Sequence, residues 1–114
     1  MKITIAQLNP IVGDIEGNVE KLKDIFLRLN GKVDLIVTPE LYITGYPPRD
    51  LLERKGFIDG IKRGVERIIK LTKNKSTGIL LGTVTKTDKK NGRGLYNSVV
   101  LIHNGRLIFR QHKS

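Results

Sequence analysis

The sequence predicts an α/β fold, a mixed β-sheet with helices on one face and the element order β-α-β-α-β-β-β. Two segments carry apolar residues at helical spacing, and short apolar runs lie before and after each of them. Asn104-Gly105 separates two further β-type runs, and this dipeptide is typical of a tight hairpin. Alternating strands and helices favour parallel pairing in the first half, while the hairpin adds antiparallel strands.

Two short apolar runs predict the strands of the first half. The run from Ile3 to Leu8 is rich in β-branched residues and ends at Asn9-Pro10, which predicts a strand followed by a turn. The run over 35–38 is apolar and continuous rather than alternating. We therefore expect it to form a parallel strand that is covered on both faces.

Helical periodicity predicts two amphipathic helices. The first is expected from about residue 16 to 30, where Asp14 or Asn18 could cap the start and Asn30-Gly31 is the expected stop. The second repeats apolar residues every three or four positions from Phe57 to Thr72. Both helices would connect neighbouring strands of the sheet.

The second half is predicted to be a three-stranded meander. Its strands are expected over 78–85, 95–102 and 106–110, with an exposed turn over 89–94 between the first two. The sequence stops at Ser114 directly after the last strand, with no sign that the final sheet edge is covered. We therefore expect a domain that is cut short.

Composition indicates a folded, water-soluble chain and excludes several kinds of site. Hydrophobic residues make up 39% of the sequence and charged residues 28%. No apolar segment has the length of a signal peptide or a membrane span, so we expect a cytoplasmic protein without a membrane partner. The absence of cysteine excludes disulfides, thiolate metal sites and a cysteine nucleophile within these 114 residues.

The formal net charge of +10 is concentrated in the second half of the sequence. Residues 54 to 75 hold eight Lys or Arg against Asp59 and Glu66. Such a segment could bind nucleic acid or another acidic partner, or it could be the solvent-exposed face of a helix. No arginine-glycine run, aromatic stripe or zinc-finger spacing accompanies the charges, which favours the solvent face over a nucleic-acid partner.

Glu40 is the residue whose position suggests chemistry. It follows Thr38-Pro39 where the strand over 35–38 ends, and ligands of open α/β sheets gather outside the carboxyl ends of the strands. A carboxylate there could act as a general base, although an exposed loop carboxylate would occupy the same place. Pro47-Pro48 stiffens the following loop, in which Tyr46 either packs its ring or lines a pocket.

The other polar residues suggest no site on their own. His103 and His112 have no clear acidic partner, so we assign neither a metal site nor a triad. Lys113 would be taken for a solvated terminal lysine. The glycines around Gly92-Arg93-Gly94 join two strands rather than opening a helix, so we expect no phosphate-binding loop and assign no cofactor to this segment.

Several of these stretches resemble a known family. The opening from Met1 to Asp14, with Ile-Ala-Gln-Leu-Asn-Pro-Ile-Val-Gly-Asp, resembles the start of the nitrilase (carbon-nitrogen hydrolase) superfamily. The stretch from Thr38 to Leu52, with Pro-Glu-Leu, Thr-Gly-Tyr-Pro-Pro and Asp-Leu-Leu, is similar to the amino-terminal part of the glutaminase domain of glutamine-dependent NAD synthetases. The resemblance continues through 95–100 to Arg110-Gln111-His112-Lys113 and covers the whole chain. It implies a partial nitrilase-like α-β-β-α sandwich over residues 1–114.

The resemblance also implies roles for individual residues. Glu40 would be the general base, Lys113 would stabilise the tetrahedral oxyanion, and Tyr46 would be a wall of the glutamine pocket. In the family, a thiolate attacks the side-chain amide of glutamine and the ammonia passes to a synthetase part. That part uses ATP and magnesium to form NAD from deamido-NAD, and a complete member is expected to be a homo-oligomer.

The family's nucleophilic cysteine lies beyond position 114, so the resemblance implies an incomplete glutaminase domain. We expect it to be inactive alone and to require the remaining part of the synthetase, on the same or a separate chain. Three alternatives stay open. The chain could be a fragment of another nitrilase-superfamily amidase, a basic nucleic-acid-binding module that uses residues 54 to 75, or a noncatalytic remnant.

Overall fold

The computed structural model describes residues 1–45, 51, 54–86 and 95–112. Within them the chain forms two helices and five strands in the predicted order β-α-β-α-β-β-β. The elements are β1 (Ile3–Ile5), α1 (Ile15–Leu29), β2 (Leu35–Val37), α2 (Lys55–Leu71), β3 (Gly78–Lys86), β4 (Leu95–His103) and β5 (Arg106–His112).

The five described strands form one mixed sheet in the order β1-β2-β3-β4-β5. β1, β2 and β3 are parallel, since each is joined to the next by a helical crossover, and β3, β4 and β5 form an antiparallel meander. At the last hairpin Asn104 and Gly105 both have positive φ, at 50° and 74°, as a two-residue type I′ turn requires. The mixed sheet and the hairpin are therefore confirmed, while the turn predicted over 89–94 lies outside the described residues.

The helices pack on one face of the sheet and against each other. α1 presents Leu22 and Phe26 to the core, and α2 presents Ile61 and Ile68; all four side chains are buried. The two helices approach closely because α2 carries glycine where they meet. A Cβ added to Gly64 would lie 2.9 Å from Ile15 Cγ2, so a larger residue there would push the helices apart.

Alternate residues of the strands separate a covered face from an open one. In β2 and β4 the side chains that face the helices are buried, whereas those on the opposite face are partly or largely exposed. Ile36 of β2 is fully buried, for example, and Ile5 of the neighbouring β1 is 70% exposed. We expected the strand over 35–38 to be covered on both faces; in the described residues only Ile36 of β2 is fully buried, because both helices lie on one side.

One detail of the first half differs from expectation, and one open choice is decided. The first strand ends at Ile5 rather than near Leu8, since beyond it only the Ala6 N–H continues the ladder, donating to Val37 O at 2.8 Å. Asp14 caps α1, and its carboxylate accepts from Gly17 N–H at 3.0 Å. Asn18, the other candidate cap, is instead buried and its side chain donates to the carbonyls of Ile11 and Ile43.

No helix within the described residues is long and apolar enough to cross a membrane.

Candidate functional site

The candidate site is built where β2 ends and the chain crosses over β3. Thr38 stays beside β3, and its N–H donates to Leu80 O at 3.0 Å. The Thr38 hydroxyl accepts from Gly82 N–H at 2.9 Å, and Ile43 N–H donates to Gly82 O at 3.2 Å. Both polar backbone groups of Gly82 are therefore used to hold the segment that carries Glu40.

The crossing of the Glu40 backbone over β3 requires glycine at position 82. A Cβ at this position would lie 2.5 Å from Pro39 O, 2.7 Å from Leu41 N and 3.1 Å from Glu40 C. The two shorter distances are below those that real Cβ contacts show, and the atoms concerned are backbone that cannot rotate away. The absence of a side chain at Gly82 thus lets the Glu40 backbone lie directly against β3.

The crossing segment, residues 38–43, has one polar end and one buried end. Leu41 adopts φ of +53°, which is uncommon for a residue with a side chain and is found preferentially at functional sites. After this turn, Tyr42 and Ile43 are fully buried, whereas Glu40 before it is exposed. The turn therefore separates a carboxylate at the surface from two large anchors in the core.

Tyr42 ties the segment to α1. Its hydroxyl donates to the backbone carbonyl of Asn18 at 2.6 Å, which satisfies the polar end of an otherwise buried ring. Burial raises the pKa of Tyr42 to about 12, since the phenolate would lose its hydration. The segment is thus held from both sides, by β3 at Gly82 and by α1 at Asn18.

The Glu40 carboxylate has a specific partner on β4. Oε1 accepts a hydrogen bond from the side-chain amide Nδ2 of Asn97. The other amide atom, Asn97 Oδ1, is buried and has no hydrogen-bond partner among the described residues. Asn97 pairs with Val84 of β3 in the regular β3–β4 ladder, so its position is set by the sheet rather than by a loop.

The structure describes only one of the three site residues that the sequence suggested. Glu40 lies at the carboxyl end of parallel strand β2, as the sequence predicted, and its side chain is exposed in this chain. Tyr46 and Lys113 lie outside the described residues, so their predicted roles stay predictions. The residue just before Lys113, His112, pairs with Ser98 in the β4–β5 ladder, and its Nδ1 lies 2.9 Å from Ser98 Oγ.

Asn97 is a residue that the sequence reasoning quoted without giving it a role. A signal was present, because asparagine is depleted in strands and Asn97 interrupts a run rich in β-branched and apolar residues. What the sequence does not show is that the crossing segment lies over β3 two residues away from the Val84–Asn97 pair. The proximity of Asn97 to the crossing segment depends on the β3–β4 register and on the close approach at Gly82.

Other features of the molecule do not converge on Glu40. Across residues 1–45, 51, 54–86 and 95–112, no group of three or more His, Asp or Glu side chains could hold a metal ion. Arg67 of α2 pairs with Glu20 of α1, and the basic side chains described over 62–70 of this helix are exposed, as the solvent-face interpretation expects.

A groove of about 260 Å³ lies between α2 and the sheet, away from Glu40. Its apolar walls include Ile58, Val65, Val100 and Leu107, and it contains neither Glu40 nor Asn97. Val100 is on the helix-covered face, whereas Asn97 and Gly82 are on the opposite one. The groove is therefore separate from the carboxylate that could carry chemistry.

Comparison with known proteins assigns the family. The carbon-nitrogen hydrolase family model matches residues 2–114. Among curated relatives, the chain is 36% identical over 115 residues to a glutamine-dependent NAD(+) synthetase from Synechocystis sp. and 34% identical over 114 residues to one from Aquifex aeolicus. These matches cover 97% and 98% of this chain but 20% and 19% of the relatives, so the chain spans about a fifth of their length.

Solved structures agree with this assignment. The glutamine-dependent NAD+ synthetase from Acinetobacter baumannii superposes with a TM-score of 0.78 at 27% identity, over 98% of this chain and 20% of that one. An amidase from Nesterenkonia sp. superposes with a TM-score of 0.81 over 99% of this chain and 42% of that one; at 17% identity it supports the fold alone. The predicted nitrilase-like fold is thereby confirmed, and the chain belongs to the carbon-nitrogen hydrolase family.

Proposed function

We propose that the chain is the amino-terminal part of a glutamine-hydrolysing domain that supplies ammonia for NAD synthesis, with Glu40 as its general base. The observation that carries the proposal is the Glu40 carboxylate at the carboxyl end of β2, held by Asn97 on β4. The similarity of this chain to glutamine-dependent NAD synthetases, at up to 36% identity, supports glutamine as the substrate.

Hydrolysis of an amide requires a nucleophile, a proton shuttle and stabilisation of the oxyanion. Glu40 suits the shuttle, because a carboxylate can accept the proton of an attacking thiol and deliver it to departing ammonia. Lys113 would stabilise the oxyanion with its positive charge, and Tyr46 would form a wall of the glutamine pocket. Water then cleaves the thioester to release glutamate.

The nucleophile is not among these residues, since the sequence contains no cysteine. We propose that it comes from the remainder of the synthetase, so that residues 1–114 form an incomplete domain that is inactive alone. ATP and magnesium would act in the synthetase part, where ammonia converts deamido-NAD to NAD. The complete enzyme would be a homo-oligomer in the cytoplasm.

A chimera tests the proposal. Residues 2–114 would replace the matching amino-terminal region of the Aquifex aeolicus synthetase, and release of glutamate from glutamine would be measured. We expect activity in the chimera and a loss of at least about 100-fold in Glu40→Gln, which removes the proton acceptor without changing shape. NAD formation from added ammonium bypasses glutamine hydrolysis and reports that the synthetase part is intact, while urea unfolding followed by circular dichroism reports whether the variant is folded. Full glutaminase activity in Glu40→Gln would refute the role of Glu40.

A second candidate function is that of an amidase that acts on another small amide. The observation that favours this candidate is the fold that the chain shares with the Nesterenkonia amidase. The substrate that is hydrolysed fastest distinguishes the glutaminase assignment from the amidase assignment. If the natural protein that contains this segment releases ammonia from a simple aliphatic amide at least as fast as from glutamine, the amidase assignment is preferred. The same sample should release glutamate from glutamine faster if the NAD synthetase assignment holds.

A further inference from the structure

We propose that Asn97 is a positioning residue that holds the Glu40 carboxylate in the orientation needed for proton transfer. The inference rests on the proposed function, since it specifies how the base of that reaction is held. It comes from the hydrogen bond from Asn97 Nδ2 to Glu40 Oε1 and from the strand register that places Asn97 there.

The register explains why Asn97 reaches this carboxylate. Gly82 pairs with Val99 and Val84 pairs with Asn97, two positions further along an uninterrupted antiparallel ladder. Because paired residues point to the same face, Asn97 projects from the face over which the Glu40 backbone crosses. Glycine at 82 lets that backbone come close, and Asn97 then lies within hydrogen-bond distance of the side chain.

The chemistry of the pair suits positioning rather than proton transfer by Asn97 itself. An ionised carboxylate only accepts hydrogen bonds, so the amide must present its NH₂ group to Glu40. The opposite amide orientation would bring Asn97 Oδ1 against a carboxylate oxygen, and two acceptors repel each other. An amide also has no proton to give up in the working pH range, so it can orient Glu40 without titrating.

The environment of Asn97 Oδ1 indicates that asparagine is present at this position for its hydrogen bond to Glu40 rather than for packing. Asn97 Oδ1 is buried without a hydrogen-bond partner among the described residues. A buried acceptor left unmet is rare and unfavourable, and such groups call for a functional explanation. An apolar residue of similar size would avoid this penalty, so the donor at Nδ2 is the feature that asparagine provides here.

The test uses the chimera defined above and two substitutions. Asn97→Ala removes the donor, and we expect kcat for glutamine hydrolysis to fall about 10- to 100-fold while KM changes by less than about threefold. Asn97→Asp keeps the shape but places a second carboxylate beside Glu40. We expect it to shift the acidic limb of the kcat/KM pH profile upward by about one unit, because two neighbouring carboxylates share a proton.

Leu101→Ala is the matched control. Leu101 lies on the same strand and face as Asn97 but four residues further along, where it pairs with Leu80 and not with Val84. We expect its glutaminase kcat and pH profile to equal those of the unsubstituted chimera within about twofold. Urea unfolding followed by circular dichroism, measured for every variant, shows whether the chimera is folded, and NAD formation from added ammonium shows that its synthetase part is intact.

The outcomes separate this inference from the proposed function. If the chimera is active and Glu40→Gln is not, but Asn97→Ala keeps full kcat and Asn97→Asp keeps an unchanged pH profile, the positioning role is overturned and the proposed function stands. If Asn97→Ala does not fold, the isosteric Asn97→Asp decides by its pH profile alone. A chimera without glutaminase activity would overturn both.

Discussion

The two faces of the sheet differ in how fully residues 1–114 cover them. The helix-covered face is closed by α1 and α2, and its side chains, such as Ile36 and Ile79, are fully buried. The opposite face holds the Glu40–Asn97 pair together with exposed apolar residues such as Ile3 and Ile5. The comparison teaches that the packed core and the candidate site lie on different sides of one sheet.

The crossing segment connects the two faces. Glu40 lies on the open side, and two residues later Tyr42 enters the core and bonds to α1. Packing on the covered side thereby holds the carboxylate on the open side. Four tests by substitution examine this comparison, beginning with the largest expected effect on the free energy of unfolding.

The most direct test compares isoleucines on the two faces of adjacent strands. Ile36→Ala should lower the free energy of unfolding of the 114-residue chain by about 4 kcal/mol, because it opens a cavity in the core. Ile5→Ala should cost less than about 1 kcal/mol, since Ile5 is largely exposed. Urea unfolding followed by circular dichroism measures both. Equal losses would show that the open face is covered in solution.

Glycine at the crossing should matter more than glycine on the helix surface. Gly82→Ala should destabilise the chain by about 3 kcal/mol, since the added Cβ meets backbone at 2.5 Å and 2.7 Å. Gly56→Ala on α2 is the control: its Cβ would meet nothing within 4 Å, and alanine favours the helix, so stability should be unchanged or rise by about 0.5 kcal/mol. A tolerated Gly82→Ala would contradict the close approach.

The buried phenol of Tyr42 predicts a loss of stability at high pH. With its pKa raised to about 12, the folded chain keeps the phenol proton over a range where the unfolded chain, with a pKa of 10.0, has released it. The unfolded state then binds fewer protons, so the free energy of unfolding should fall between pH 10 and 12, by about 2 kcal/mol.

The phenylalanine variant separates the contribution of the Tyr42 phenol from that of the other ionisable groups. Tyr42→Phe should be less stable than the unsubstituted chain at pH 8, because the buried Asn18 carbonyl loses its donor. The difference should narrow as the pH approaches 12. A difference that is constant from pH 8 to 12 would mean that Tyr42 ionises equally easily in both states.

The smallest effect is expected at the start of α1. Asp14→Ala removes the cap on Gly17 N–H and should cost about 1 kcal/mol. Asp24→Ala, on the exposed side of the same helix, should change stability by less than about 0.5 kcal/mol. If both cost the same, the effect at Asp14 would come from charge rather than from capping.

Much of the fold was predictable because its determinants are local. Helical periodicity located α1 and α2, and the Asn104-Gly105 dipeptide located the last hairpin, since only certain residues adopt positive φ at low cost. Strand ends were less predictable. Whether Ala6 to Leu8 extend β1 depends on whether β2 offers partners, and β2 ends at Val37.

The candidate site was predictable in part. The position of Glu40 after Pro39 identified a carboxylate at a strand end, and the family resemblance supplied its expected role. Asn97 was not recognised, because its importance arises from a β3–β4 register that brings together residues 57 positions apart.

The sequence by itself determined the order of the elements, the family and the absence of a thiol, because periodicity, turn dipeptides and residue identity are written along the chain. Only the tertiary structure decided that the Glu40 segment crosses β3 at Gly82, that Tyr42 anchors it to α1 and that Asn97 holds the carboxylate. These contacts depend on strand register and close packing, and both are set by the whole sheet at once rather than by neighbours in sequence.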